Sequence, residues 1–322
     1  MLGGIARRVT YVERKRAEGR PVLVVDSGDL FFSIGANGDS HKALNKARVI
    51  SKAYGRMGAV AINVGDQDLP QGLDFLREEF SKGLPLISTN LLDSSNKTPI
   101  FPPYLVKETS GVRIAFFGLL PPGLRPAIQN GVGEKALIKD PMQTAQEIVP
   151  KLRGRADLIV LLSDLGLEMD RLISRTVPGI HFILGGNERR LFTRSIQQGE
   201  TYIFQSYEKG MYVGKLSLII RNPASPFQDK LKPDQILREI GGMDSRIRTL
   251  QRDRDRQPQQ NIDQAIQFIS QQKARLAEEL RNARDYLASG NYFLWTMELM
   301  DMMIPEHQEI KQWIAEAGVE KD

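Results

Sequence analysis

The chain has 322 residues, 41% of them apolar and 26% charged, which is enough for one large or two ordinary domains with a real hydrophobic core. It contains no cysteine and three histidines (His41, His181 and His307), which excludes disulfide frameworks, zinc ribbons, thiol nucleophiles, haem attachment and iron–sulfur clusters and leaves oxygen as the main ligand for any metal. The 44 Lys and Arg against 39 Asp and Glu give +5 spread along the chain, and with 7% aromatics this offers no basis for nucleic-acid binding.

From the N-terminus, the stretch MLGGIARRVTYVERKR has neither the apolar core nor the cleavage site of an export signal. No later apolar run approaches the roughly 18 to 20 residues of a membrane span, so no membrane insertion is expected. Lack of cysteine fits the cytoplasm and a bacterial periplasm equally. Ile5, Val9 and Val12 form an apolar stripe, which predicts a helix starting near Gly4. Short β-branched runs then alternate with amphipathic stretches, as in a parallel sheet with crossover helices. The strands are expected at Val22–Val25, Val60–Val64, Ile114–Phe117, Leu158–Leu162 and Ile180–Leu184, with helices starting near Ser40, Gln71, Pro141 and Glu168. Two further runs, Tyr202–Ser206 and Tyr212–Ile220, read as antiparallel strands joined through Gly210.

After Asn222-Pro223-Ala224-Ser225-Pro226 the pattern changes. Ile236, Ile240, Met243, Ile247 and Leu250 step by four and three, and so do Ile262, Ile266 and Ile269, followed in phase by Leu276, Leu280 and Leu287. The phase slips by one residue at Pro258, which predicts an antiparallel helical hairpin over 234–289 with the charged stretch 252–256 near its solvated turn. The hairpin is also the place to look for a protein partner. Tyr292–Met300 reads as a strand and Glu306–Ala317 as a closing helix. The expected division is therefore a domain over 1–225, the hairpin over 234–289, and a return strand and helix over 290–322.

Ligands of open α/β sheets bind outside the carboxyl ends of the strands. Four such ends are polar here: Asp26-Ser27-Gly28-Asp29, Gly65-Asp66-Gln67-Asp68, Ser163-Asp164-Leu165-Gly166 and Gly185-Gly186-Asn187-Glu188-Arg189. Singly, each is an ordinary turn or helix cap.

Together they resemble a family. GGIARRVTYVERKRAEGRPVLVVDSGDLFF is similar to the GGLAR…DAGDxF opening of the 5′-nucleotidase branch of the calcineurin-like metallophosphoesterases, and AYGRMGAVAINVGDQDL to its MGYDAxxxGNHEFD. DLIVLLSDLGLEMDRLISRTVPGIHFILGGN resembles DxIVxLSHxG…VPGIDxILGGHxH, and TYIFQSYEKGMYVGKLSL the strand pair that follows. The resemblance runs over about residues 3 to 220. It implies a four-layer α/β/β/α sandwich with a two-metal site at one end of the sheets, where the ions lie about 3.5–4 Å apart in such enzymes.

The resemblance also implies a degenerate site. Asp29 stands where the family has its metal-bridging Asp, and Asp66 where it has an Asn ligand. Gln67 stands at the catalytic His, and an amide can neither give nor take a proton as an acid or base. Asp164 replaces a ligand His, and Asn187 and Arg189 replace the two His of GGHxH. The family's first motif, an Asp-x-His strand, has no counterpart: either the strand is lacking, or the true start lies upstream with that motif and a signal peptide. By resemblance, the expected location is periplasmic or otherwise exported. His181 is expected to be structural.

Three readings stay open. In the first, the fold is kept for a binding or structural role and ordinary two-metal hydrolysis is lost. In the second, Asp29, Asp66, Asp164 and Asn187, with Asp26, Asp68 and Glu188 behind them, hold Mg²⁺ or Mn²⁺ in an active phosphoric-ester hydrolase for nucleotide-like phosphomonoesters. In the third, Arg189 and Arg190 bind a phosphate-containing small molecule without metal, unless Arg189 instead neutralises Asp29 or Asp66.

Overall fold

The structure is a computed structural model, and it describes residues 3–32, 41–123, 132, 135–188, 192–206, 210–256 and 260–319. Two compact units are present: Met1–Lys215 with Thr296–Asp322, and Leu216–Trp295.

The first unit is built on two sheets. The smaller is parallel and has the order β1 (Val24–Asp26), β2 (Ala59–Asn63), β3 (Leu86–Ile87). A short antiparallel pair, β4 (Leu91–Asp93) and β7 (Ala136–Ile138), lies apart from it in the pairing. The larger sheet contains β5 (Tyr104–Thr109), β6 (Val112–Leu119), β8 (Leu158–Ser163), β9 (Phe182–Gly185), β10 (Ile196–Gln198) and β11 (Thr201–Gln205). Its order is β10-β11-β9-β8-β6-β5; the four inner strands run parallel and the two edges antiparallel.

Alternation along these strands sorts their side chains to two faces. Ala115, Phe117, Leu119, Ile159, Leu161, Ile183 and Ile203 share a core with Ile148, Val149 and Leu152 of α4 (Pro141–Arg153) and Ile173 of α5 (Leu167–Thr176). Helix α4 starts where the sequence marks a start: Gln143 N–H donates to the Asp140 carboxylate (2.7 Å), and Pro141 occupies the first turn. On the other face β2 packs against β6 and β8. Strand β2 also alternates. Ile62 and Val64 enter a second core with Val9 and Val12 of α1 (Ile5–Ala17), Ala53 and Tyr54 of α2 (His41–Arg56), and Ile310 of α8 (Gln308–Glu316). The layers are thus helices, small sheet, large sheet, helices. A short helical stretch, α3 (Leu73–Phe75), continues as a π-turn over Leu76–Phe80.

In the second unit α6 (Lys232–Arg256) and α7 (Gln260–Ser289) pack on each other through Ile236, Ile240, Leu276, Leu280 and Ala283. Ion pairs Lys232–Glu279 (2.9 Å) and Lys273–Asp244 (2.5 Å) advance along one helix while retreating along the other, so the pair is antiparallel. Pro258 lies outside the described residues. Strands β12 (Tyr212–Ile219), β13 (Phe227–Asp229) and β14 (Asn291–Leu299) form a sheet in the order β12-β14-β13, and the unit boundary falls within β12 and β14.

One expectation is corrected. The runs read as an antiparallel pair, now β11 and β12, are in different sheets. Both edges of β11 are taken, by β9 in parallel and β10 antiparallel, so no edge remains for β12. Among the described residues no helix is long and apolar enough to cross a membrane.

Candidate functional site

The parallel strands β1, β2, β8 and β9 end at one edge of the sandwich, and the four polar strand ends meet there. One carboxylate oxygen each from Asp29, Asp66 and Asp164 lies within 4.8 Å of the others. Nothing in their spacing along the chain (29, 66, 164) foretells this; the sheet order does.

The loop carrying Asp29 is bent tightly. Gly28 has φ 117° and Asp29 itself φ 59°, a left-handed conformation that costs a non-glycine residue energy and persists where its surroundings enforce it. Asp68 does the enforcing. Its buried carboxylate accepts the N–H groups of Asp29 (3.0 Å), Phe31 (2.9 Å) and Gly65 (2.9 Å), so it binds the β1 loop to the β2 loop. Asp26 accepts from Gly28 N–H (3.1 Å) and from the Tyr54 hydroxyl (2.6 Å), which is a supporting role. Gly65 has to be glycine: a Cβ there would collide with the Asp29 backbone and carboxylate and stand 3.1 Å from Asp164 Oδ2.

Gln67 also stands in the site, where it holds both oxygens of Asp29: its backbone N–H donates to Oδ1 (2.9 Å) and its side-chain amide to Oδ2. Asp164 Oδ2 accepts the Asp66 N–H (3.0 Å). Asn187 is exposed, has φ 60°, and donates to the Asp164 carbonyl (3.2 Å). Glu188 turns to the start of α5, where its carboxylate accepts the Leu167 N–H (3.4 Å). Arg189 and Arg190 lie outside the described residues.

Burial and mutual repulsion set the electrostatics. Burial pushes Asp164 up to about 9, with the charge of Asp29 adding to the shift. Burial pushes Asp29 up to about 6, against the two donors of Gln67 and with the charge of Asp66 adding. Asp68 is raised well above the carboxylate range by burial and then by Asp29, and Asp26 is raised by burial. A divalent cation reverses this balance, because its charge stabilises the ionised carboxylates that crowd it. The donor set fits one: three carboxylates without thiolate or imidazole suit a hard ion such as Mg²⁺ or Mn²⁺.

Sequence reading missed a buried polar seam between the sheets. Asn63, Ser88, Thr89 and Asn90 are all buried there. Asn90 donates to Leu120 O (2.8 Å) and Lys139 O (3.1 Å), and Thr89 Oγ accepts the Gly118 N–H (3.2 Å). Asn63 is the single polar residue in the apolar run Ala59–Val64, a signal visible in the sequence. Buried Asp170 on α5 accepts from the Ser163 hydroxyl, next to Asp164, and had no comparable signal.

No family model matches the chain. It is 25% identical over 261 residues to a 2′,3′-cyclic-nucleotide 2′-phosphodiesterase/3′-nucleotidase of Salmonella typhimurium, covering 70% of this chain and 40% of that protein. Among solved structures, a 5′-nucleotidase precursor from Thermus thermophilus superposes with TM-score 0.56 and 25% identity over 68% of this chain and 46% of that one. The calcineurin-like phosphoesterase YfkN from Bacillus subtilis superposes with TM-score 0.64 and 16% identity, covering 98% of this chain and 88% of that one. The chain therefore spans less than half the length of the curated relative and of the 5′-nucleotidase precursor. It is related in sequence to nucleotidases and cyclic-nucleotide phosphodiesterases, and its fold is that of the calcineurin-like metallophosphoesterases.

Proposed function

We propose that this chain binds a hard divalent cation, Mg²⁺ or Mn²⁺, on Asp29, Asp66 and Asp164 and uses it to hold a phosphate-containing small molecule, without ordinary two-metal hydrolysis. The observation that carries the reading is the convergence of those three carboxylates within 4.8 Å. When bound, the cation supplies positive charge that a phosphate group can share. Asp68 and Gly65 keep the Asp29 loop closed on the Asp66 loop, and Asp66 N–H steadies Asp164. Gln67 orients the Asp29 carboxylate by two hydrogen bonds and has no proton to give a leaving group. Nucleotide-like ligands are favoured by the names of the relatives.

Metal-free anion binding has no support among the described residues: the polar strand ends gather aspartates, and the arginines of that reading, Arg189 and Arg190, lie outside them. The same carboxylates also support a second reading, an active metal-dependent phosphohydrolase acting on nucleotide-like phosphomonoesters. Hydrolysis of AMP and of p-nitrophenyl phosphate with added Mn²⁺ separates the two, with Asp29→Ala as the reference. The expected result is a rate no higher than that of Asp29→Ala. Mn²⁺-dependent turnover abolished by Asp29→Ala would establish the hydrolase.

A further inference from the structure

Asn63 lies on β2, three residues before Asp66, and is fully buried on the face of the small sheet that meets the large one. Its side-chain amide spends both N–H bonds there: one on Ser27 O (2.9 Å), in the loop that follows neighbouring β1, the other across the gap on Leu119 O (3.0 Å) at the end of β6. Ser27 is two residues before Asp29, and its hydroxyl continues to Leu184 O at the end of β9 (2.7 Å). Leu119 O accepts a second bond, from the backbone N–H of Asp164 (3.0 Å). One amide therefore touches the backbone of the Asp29 loop and the carbonyl that anchors Asp164, while its own strand runs into Asp66. The remaining atom, Oδ1, faces Gly118 so closely that a Cβ at that position would collide with it. The fit leaves Asn63 one orientation.

We propose that Asn63 is a positioning residue that sets the mutual spacing of the Asp29, Asp66 and Asp164 carboxylates by tying their three loops to one buried amide. The proposal rests on the metal-site reading above. Its physical content is that the ligands come from two sheets, and a cluster a few ångströms wide tolerates little relative slip between them. Backbone pairing fixes register within each sheet, and Asn63 bridges the sheets directly beneath the cluster.

The test compares Asn63→Ala with Asn90→Ala. Both asparagines are 0% exposed and both hold backbone carbonyls in the same seam, but Asn90 reaches Leu120 and Lys139 and neither Ser27 nor Leu119. Mn²⁺ affinity is measured by calorimetry on folded protein, and the geometry of bound Mn²⁺ by electron paramagnetic resonance. Asn63→Ala is expected to weaken Mn²⁺ about ten- to a hundred-fold and to broaden the spectrum. Asn90→Ala is expected to lower the melting temperature and leave affinity and spectrum unchanged. Gly118→Ala, which displaces Asn63 Oδ1 without changing Asn63, is expected to act like Asn63→Ala, and Asn63→Ser, which keeps one donor, to fall between. These two carry the test if Asn63→Ala does not fold. A parent that takes up no Mn²⁺ overturns the metal reading and this proposal together. A parent that binds, with Asn63→Ala or Gly118→Ala binding as tightly, or with Asn90→Ala losing as much, overturns this proposal alone.

Discussion

Single residues here are decided by what their neighbours leave them. Asp29 is held left-handed at φ 59° because Asp68 fixes its N–H and Gln67 its carboxylate, in a conformation that aspartate adopts more readily than most residues with a Cβ. His181 is the converse, a residue that looks like chemistry and serves structure. It precedes β9, half-buried, and its Nδ1 accepts the backbone N–H of Ile159 (3.1 Å). Burial pushes its pKa below the ordinary value, Arg153 assists, and Glu200 opposes. Below pH about 6.5 the unfolded chain takes up a proton that the folded chain resists, so stability falls as pH drops through that value. His181→Gln removes this contribution. Thermal unfolding at pH 7.5 and 5.5 is expected to show a smaller loss on acidification for His181→Gln than for the parent. An equal loss would mean that His181 does not titrate differently on folding.

At the scale of elements, helix α2 is fastened to the end of β1 by one buried hydroxyl. Tyr54 donates to Asp26 Oδ2 (2.6 Å), and Arg8 of α1 donates to the Tyr54 oxygen (3.4 Å). Tyr54→Phe keeps the ring and leaves a buried carboxylate short of a donor, which costs about 1–3 kcal/mol. Urea unfolding checks it, and a loss under about 0.5 kcal/mol would mean water replaces the hydroxyl. Elements of this kind were legible to different degrees. Strands β6, β8 and β9 stand out in the sequence because each carries a run of apolar residues buried on both faces, Ile114–Phe117, Leu158–Leu162 and Phe182–Ile183. Strand β3, two residues long, and β5, exposed on an edge, carry no such run. The pairing of β11 escapes the sequence because hairpin-like proximity along the chain says nothing of β9, which takes the edge through the crossover over α5. The carboxylate positions were legible as strand ends, whereas Asn63 was visible only as a polar break in an apolar run and its partners, Ser27 and Leu119, are known only once the sheets are stacked.

At the scale of the molecule, the fold concentrates charge that the chain as a whole disperses. A sequence of net charge +5 gathers four aspartates, Asp29, Asp66, Asp68 and Asp164, at one edge of its first unit, and the metal-free fold bears the burial of Asp29, Asp68 and Asp164 as raised pKa values. Such a cluster lowers stability unless a counter-charge relieves it, so the site trades stability for binding. Replacing one ionisable carboxylate by its isosteric amide exposes the trade. Asp164→Asn is expected to leave the metal-free protein at least as stable as the parent and to weaken the cation site at least tenfold. Calorimetric titration of the metal-free protein with Mn²⁺, beside Asp164→Asn, is the direct measurement. The account predicts saturable uptake of about one equivalent by the parent and at least tenfold weaker uptake by the variant. No uptake by the parent, or equal affinity in the variant, would contradict it.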